Sequence, residues 1–566
     1  MLSNVKKMFA NGTRESVTSD IVSGLMVFLI ALPLSVGIAL ASGAPPSAGL
    51  WAAIFGGILG SVTGGSYLTI NGPAAGLIVV VLGAIQDLGA GDPQAGFRRA
   101  LAAFVVAGVI QIIFGKLKLG RLGLAIPGSV IHGMLSAIGV IIMTKQLFVA
   151  LGIAASGKNT LAMMAELPSK AQNLNPEVAL IAACGLMIVL AFNTYEGAWK
   201  KYVPLPLFVV LSGVGLARLF DFQHLHTIQS HGLSFDVSPK LLLALPTSLA
   251  KTIVSPDFSM IGKGIFWFHV VTLSLIASIE SLLSAAAVDK LDPLNRKSNL
   301  DQELISKGIC NAALGLIGGL PIIAEMVRSK ANVQNGAKTP LANFTHGLAI
   351  LLFVLAAPSL LNNIPLATFA AVLIPVGYSL AHPSQFFHTA KVGREHFAAF
   401  VISLVVTLGT DLLVGVMAGI LVEMAWNLYN GANPLDIFSV KAQVEKVEGD
   451  KLKLLVTSPL TFTNLLSLRS KIEAYSSSNH MVLDLSGSKM VDHTTRQHLT
   501  KLQADAQTRG RTLELLFCES HVPFSSHPDS GLRKRSPTVP RSAAVESQSQ
   551  VSPTKAHSSQ NPRIDA

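Results

Sequence analysis

The chain has 566 residues, half of them hydrophobic and 13% charged, with a net charge of +11 and a mean hydropathy of +0.52. Soluble domains carry about 25% charged residues, so the composition excludes an ordinary soluble protein. Three distant cysteines (Cys184, Cys310, Cys518) exclude a disulfide framework and a zinc site. The basic residues fall mostly in short loops and in the tail, a signature of membrane topology rather than of nucleic-acid binding. The apolar residues come in blocks of roughly 17–25, the length that crosses about 30 Å of hydrocarbon. The chain therefore reads as an α-helical polytopic membrane protein.

Residues 1–17 are polar and the first apolar block is too long for a signal-peptide core, so no cleavable signal is expected. Fourteen hydrophobic segments follow within residues 18–430, starting near residues 18, 46, 72, 97, 124, 177, 203, 264, 302, 320, 341, 364, 395 and 411. If the N-terminus (Lys6, Lys7, Arg14) is cytoplasmic, every even-numbered segment leads back to a basic loop. "KLKLGR" (116–121) follows the fourth, "EGAWKK" (196–201) the sixth and "DKLDPLNRKSN" (289–299) the eighth. Arg328, Lys330 and Lys338 follow the tenth, and "KVGR" (391–394) the twelfth. Arg98 and Arg99 fall on the outer side, as does the long stretch 222–263. The reading places a multi-pass protein in the cell (inner or plasma) membrane, embedded in the lipid bilayer, with both termini cytoplasmic.

The third segment opens on a break, "GSYLTINGPAAGLIVVV" (65–81), in which Asn71-Gly72-Pro73 precedes the apolar run. The helix expected from Pro73 reaches Gln86 and Asp87 after some 20 Å, too short to span. A second break, "GLIGGLPIIAEMVRSK" (315–330), opens the tenth segment, with about 10 Å of apolar chain from Pro321 to Val327. Third and tenth are matching positions in a seven-plus-seven arrangement. Paired interrupted helices at matching positions point to a transporter's substrate site. Each helix start exposes unpaired N–H groups and about half a positive charge, which suits a small anion. Proline at the first helical position costs nothing there.

Glu280 lies near the middle of the eighth segment, with Ser284 one turn along on the same face. A carboxylate there costs roughly 2.5–3.5 kcal/mol, so it is protonated, cation-paired or facing water. Glu325 follows four residues after Pro321, beside the expected anion site. Either a proton or Na⁺ accompanies the substrate there, or Arg328, one turn on, neutralises Glu325. His132, His269, Lys145 and Gln146 also lie in or near apolar segments and read as packing or interface residues.

Residues 438–518 change character. "KLKLLVTS", "HMVLDLSG" and "RTLELLFC" read as strands. "DHTTRQHLTKLQADAQTRG" reads as a helix, with Asp492 at its start, Leu499, Leu502 and Ala506 on one face and Gly510 at its end. The Ser/Pro/Arg/Lys-rich tail, 521–566, has no periodicity and is expected to be disordered.

Several of these motifs carry a family resemblance. "PPSAGLWAAIFGGILG…INGPAAG", "ESLLSAAAVDK", "DQELISKGICNAALGLIGGLP" and "RSKANVQNGAKT" resemble the SulP (sulfate permease) family of anion permeases. "VLDLSGSKMVDHTT" resembles the STAS domain that follows the membrane part in that family. The resemblance implies a seven-plus-seven inverted repeat in which segments 1–4 and 8–11 form a core that moves, elevator-like, against a gate of segments 5–7 and 12–14. Members carry sulfate, bicarbonate, chloride or dicarboxylates. The implied substrate-binding residues are Asn71, Gly72, Pro73, Ala74, Ala75, Ala324, Glu325 and Met326, with Arg328 beside them. Glu280 and Ser284 are the implied coupling-ion pair, and Glu at the first position resembles the proton-coupled members. Leu34 stands where many members have Gln, leaving Ser35 as a replacement ligand. Asp492-His493-Thr494-Thr495 stands in the STAS loop that is often phosphorylated, making Thr494 the candidate regulatory residue.

The leading reading is secondary active transport of a small inorganic anion, sulfate or bicarbonate first, with H⁺ or Na⁺ as the co-transported ion. A homodimer is expected, with no cofactor, no metal, no nucleic-acid partner and no enzymatic activity. The alternatives are a nucleobase permease of the same fold and an uncoupled anion exchanger or channel.

Overall fold

The computed structural model describes residues 14–534 apart from 121–126, 158, 195–204, 231–232, 245–247, 411, 447–450, 476–479, 509 and 528–529. The basic N-terminal residues Lys6 and Lys7, and the tail from 535 on, lie outside the described residues.

The first half of the membrane part contains α1 (Arg14–Ala41), α2 (Pro46–Thr63), β1 (Ile70–Pro73), a 3₁₀ turn at Ala75–Leu77, α3 (Ile78–Gly89), α4 (Pro93–Lys116), α5 (Gly128–Leu151), α6 (Thr160–Lys170), α7 (Pro176–Thr194) and α8 (Leu205–Leu219). A hairpin of β2 (His226–Ser230) and β3 (Leu233–Val237) follows. The second half contains α9 (Gly264–Val288), α10 (Leu300–Ile317), β4 (Ile322–Glu325), α11 (Met326–Gln334), α12 (Leu341–Ala356), α13 (Leu366–Leu380), α14 (Pro383–Val392), α15 (Arg394–Gly409) and α16 (Leu412–Tyr429). Among the described residues, seven helices are long and apolar enough to cross a membrane, or eight if the bent pair α6–α7 is one span. Helices α8 and α12 are apolar but shorter.

Two expected helices begin later than the sequence indicates. Ile70–Pro73 and Ile322–Glu325 are strands, and regular helix starts only at Ile78 and Met326. Neither stretch is long enough to be a helix and span as well, and the two satisfy their buried backbone by pairing with each other. Pro73 therefore ends a strand instead of opening a helix, a position that suits a residue with no N–H to donate.

Helices α1–α4 pack with α9–α12, while α5, α7 and α8 pack with α13, α15 and α16. Within the first group, α2 crosses α12 where Gly57 meets Gly347, and α4 crosses α10 where Gly108 meets Gly308. A methyl at any of these four glycines would overlap the facing backbone, so the helices touch at van der Waals distance. Apolar side chains such as Met187, Leu190 and Leu211 are exposed on the outer helices, as a lipid-facing surface requires.

The two arginines that break the charge pattern have local partners. The Arg99 guanidinium donates to the Leu88 carbonyl (2.8 Å) and pairs with Asp257 (3.5 Å), and Arg98 donates to the Ser255 carbonyl (3.3 Å). They tie α4 to the long 222–263 connection.

The C-terminal unit is an α/β layer. Its four-stranded sheet runs β5 (Ala442–Lys446), β6 (Lys451–Val456), β7 (His480–Asp484), β9 (Thr512–Leu516), with β6, β7 and β9 parallel and β5 antiparallel to β6. Helices α17 (Leu465–Ala474) and α18 (His493–Thr508) connect the parallel strands. β5 was not expected, because Ala442–Lys446 is short and largely exposed at the sheet edge. The stretch from 521 was expected to lack structure. It instead supplies β10 (His521–Pro523) and β11 (Leu532–Lys534), which pair with each other, β11 pairing in turn with β8 (Met490–Val491).

This unit touches the ends of α14–α16. Asn427 of α16 donates to the Asp492 carboxylate (3.4 Å), the His396 and His493 rings stack edge-on at 4.4 Å, and Ser525 donates to the Val392 carbonyl (2.5 Å). Asp492 also caps α18, accepting from the backbone N–H of Thr495 (2.7 Å), and accepts from that of Phe462. Burial pushes the Asp492 carboxyl up to about 6, against these hydrogen bonds, which favour the charged form. The folded chain thus holds this proton to higher pH than the unfolded chain does. The corresponding stability is fully present below about pH 4 and is lost as pH rises through 6, a loss of roughly 3 kcal/mol. Asp492→Asn should remove that dependence. In thermal melts of the full chain, the melting temperature of the wild type minus that of the variant should fall between pH 4.5 and 6.5, and a rising difference would contradict the assignment.

Candidate functional site

The two breaks meet. β1 and β4 pair antiparallel, with Ile70 opposite Glu325, Asn71 opposite Ala324, Gly72 opposite Ile323 and Pro73 opposite Ile322. All of β1 and most of β4 are buried. The backbone N–H of Ala75 hydrogen-bonds the Glu325 carboxylate. The Arg328 guanidinium, in the first turn of α11, lies against Gly72 and donates to the Pro73 carbonyl (3.2 Å). The 3₁₀ turn before α3 and the start of α11 are thereby brought together at one point between α2, α9, α10 and α12.

Side chains from neighbouring helices hold each strand. Asn343 of α12 accepts from Asn71 N (3.1 Å) and donates to Gly56 O (3.1 Å), Gly57 O (3.3 Å) and Ser61 Oγ (2.9 Å). Ser329 accepts from Ile70 N (2.8 Å), and Asn332 donates to Leu68 O (3.0 Å). On β4, Asn311 of α10 accepts from Ile322 N (2.7 Å) and donates to Gln111 (2.8 Å), which donates to Ser278 (3.3 Å). Asn343→Ala leaves the buried Asn71 N–H without its partner, at roughly 1–3 kcal/mol for the unpaired donor. The expected result is a lower melting temperature in detergent together with weaker substrate binding, and an unchanged melting temperature would contradict the bracing role.

Glu280 of α9 is buried, and neither carboxylate oxygen has a hydrogen-bond partner among the described residues. The carboxylate lies against Gly76, where a methyl would overlap both oxygens, so that glycine makes the approach possible. Glu280 and Glu325 are close enough to repel each other. Arg328 is fully buried, and its Nε and Nη1 have no hydrogen-bond partner among the described residues. Glu325 feels the charge of Arg328. The arrangement gathers two helix starts, two carboxyls and one guanidinium around a backbone crossing. A carboxylate so buried needs a proton or a cation beside it. The guanidinium and helix starts favour an anion.

The expected site residues divide into two groups. Asn71, Gly72, Pro73, Ala74, Ala75, Ala324, Glu325, Arg328 and Glu280 lie at or beside the crossing. Met326 contributes its backbone to the start of α11, but its side chain packs away with Leu68, Val288 and Val333. Ser284 follows Glu280 by one turn and is half-buried. Ser35 is turned aside, its hydroxyl donating to the Ala31 carbonyl of its own helix (2.7 Å). Thr494 lies in the C-terminal unit, remote in sequence from the crossing. It is buried, and its hydroxyl has no partner among the described residues. The sequence reading passed over Gly76, Asn311, Ser329 and Asn343, whose only signal is a small or polar residue inside an apolar run.

The model of the sulfate permease family matches residues 17–403. The bicarbonate transporter BicA of Picosynechococcus is 28% identical over 446 residues, covering 78% of this chain and 75% of that protein. The putative sulfate transporter YvdB of Bacillus subtilis is 26% identical over 463 residues, covering 81% and 83%. Among solved structures, the transmembrane domain of a cyanobacterial BicA aligns with a TM-score of 0.59 at 25% identity, over 72% of this chain and 98% of that one. SLC26A9 aligns with a TM-score of 0.66 over 90% and 87%, and its 16% identity speaks to the fold alone.

Proposed function

The chain belongs to the sulfate permease family, so it is a membrane anion transporter and not an enzyme, and we propose that it carries sulfate or bicarbonate by secondary active transport, in symport with H⁺ or Na⁺. The observation that carries this reading is the β1–β4 crossing. It brings two helix starts together beside a buried, unbonded Glu280. The anion lies between the Ala74–Leu77 turn and the first turn of α11, held by backbone N–H groups and by Arg328. Glu280 holds the coupling proton or cation, with Ser284 next to it. Glu325, on Ala75 N–H, closes the anion side when the substrate is absent.

Relatives named as bicarbonate and sulfate transporters support an inorganic anion as cargo. On this reading all fourteen apolar segments cross or enter the membrane as a seven-plus-seven repeat. The α1–α4/α9–α12 body moves as an elevator against the remaining helices. Residues 438–518 act as a cytoplasmic STAS domain, both termini are cytoplasmic, and the protein works as a homodimer in the cell membrane. With Thr494 buried, its phosphorylation would first require the STAS domain to loosen.

The test is uptake of radiolabelled sulfate and of bicarbonate into proteoliposomes, with pH and Na⁺ gradients varied separately. Accumulation of one of them under an inward gradient of H⁺ or Na⁺ is expected. Equilibration without accumulation under any gradient would overturn the coupling.

A further inference from the structure

A second polar cavity opens away from the crossing. It encloses about 370 Å³ between α3 and α9 on one side and α5, α6, α15 and α16 on the other. It lies where α3 and α5 end and α9 begins. The C-terminal unit contacts the opposite end, where Ser129 at the start of α5 meets Glu423 of α16 (2.8 Å) and Asn427 meets Asp492. Val79 and Val80 line the cavity in the first turn of α3, which follows the 3₁₀ turn that enters the candidate site. The cavity therefore leads from the membrane face opposite the C-terminal unit to within a turn of the crossing.

Its walls are unusual for a membrane bundle. Lys145 of α5 lines the cavity, half-buried, with no hydrogen bond or ion pair to any described residue. It sits six residues, about 9 Å, before the end of its helix. The carboxylate in the cavity, Asp87, is taken by His269 (2.9 Å) and is half exposed at the rim. Thr407 of α15 also borders the cavity, with its hydroxyl turned away against Gly415 of α16. An unpaired cation within a spanning helix is costly and calls for a partner, and here the space beside it is open. The walls belong to both bodies of the bundle, so a relative movement of the two would change the cavity.

We propose that this cavity is an anion-holding antechamber, in which Lys145 binds a small inorganic oxyanion between bulk solution and the helix-start site. The proposal rests on the transport reading above. In it, Lys145 raises the local concentration of the anion and sets how readily it is captured, while the crossing sets how fast it is carried.

The experiment is sulfate and bicarbonate uptake by the full chain in proteoliposomes. Variants are Lys145→Met, Lys145→Arg and, with Cys184, Cys310 and Cys518 replaced by Ala, Lys145→Cys. Lys145→Met should raise KM roughly tenfold with the maximal rate within about twofold, and Lys145→Arg should stay near wild type. Modification of Lys145→Cys with an ethylammonium thiosulfonate restores the positive charge and should bring KM back, whereas the sulfonate analogue should not. Saturating substrate anion should slow the modification. A KM for Lys145→Met within twofold of wild type overturns the antechamber, as does a modification rate indifferent to the anion, or no modification at all. If Lys145→Met transports too little for kinetics, anion protection of Lys145→Cys decides alone. Wild-type vesicles that take up neither anion would instead sink the transport reading, so the two failures are distinguishable.

Discussion

Glu280→Gln protein exchanges the anion across the membrane but does not concentrate it. The Gln side chain mimics the protonated acid in shape and charge, so the helix starts keep the neighbour they have when the site is ready for substrate. What is lost is the proton or cation that must travel with the anion. In the wild type, an ionised Glu280 beside Glu325 puts two negative charges next to the anion position, and repulsion disfavours binding until one is neutralised. For a monovalent anion carried with one proton, a gradient of one pH unit supports about tenfold accumulation. The variant should fall to a ratio of about one, with counterflow preserved. The check is a pair of proteoliposome assays, gradient-driven uptake and counterflow, on wild type and variant. If the Gln variant still accumulates anion under an inward proton gradient, coupling does not run through Glu280, and Glu325, bonded to Ala75 N–H, is the next candidate.

Ala75→Trp and Ala324→Trp abolish uptake. Ala324 is fully buried at the centre of the strand crossing, opposite Asn71, and Ala75 opens the turn whose N–H reaches Glu325. An indole at either position fills the space between the two helix starts and separates β1 from β4. Uptake should fall by about a hundredfold or more, and anion binding with it, since the donors can no longer converge on one ion. Overpacking costs stability as well, typically about 1–3 kcal/mol. Ala75 is only partly buried, so its variant is the cleaner test. Membrane insertion and gel-filtration behaviour should remain normal for Ala75→Trp, and normal uptake by both variants would remove the crossing from the transport path.

The breaks themselves were readable from residues alone, because Asn71-Gly72-Pro73 and Gly318-Gly319-Leu320-Pro321 stand where apolar helix cannot be continuous. That the two segments pair as strands was not readable. Ile322–Ala324 has the same apolar character as a helix start, and only the partner strand, some 250 residues away, decides the outcome. The position of Glu280 along its helix could be counted, whereas its neighbour Gly76 could not be inferred. A glycine that admits a carboxylate looks like any other glycine in a membrane helix. Ser35 illustrates the opposite failure. Its place near Pro33 made it a plausible ligand, yet its hydroxyl returns to its own helix, the commonest resting place for a serine in a spanning segment. The strands at 521–523 and 532–534 were hidden because three-residue strands carry no periodicity and draw their order from each other and, for 532–534, from β8.

On the transport reading proposed above, the anion sits between the two helix starts. Crystals of the wild type soaked in selenate or bromide, measured at the selenium or bromine absorption edge, test it most directly. An anomalous peak is expected within hydrogen-bond reach of the backbone N–H groups of Ala75 and Gly76 and of Met326–Val327, lost in Ala75→Trp. Peaks within the bundle that all lie away from that point, or an unoccupied crossing under conditions that support uptake, would contradict it.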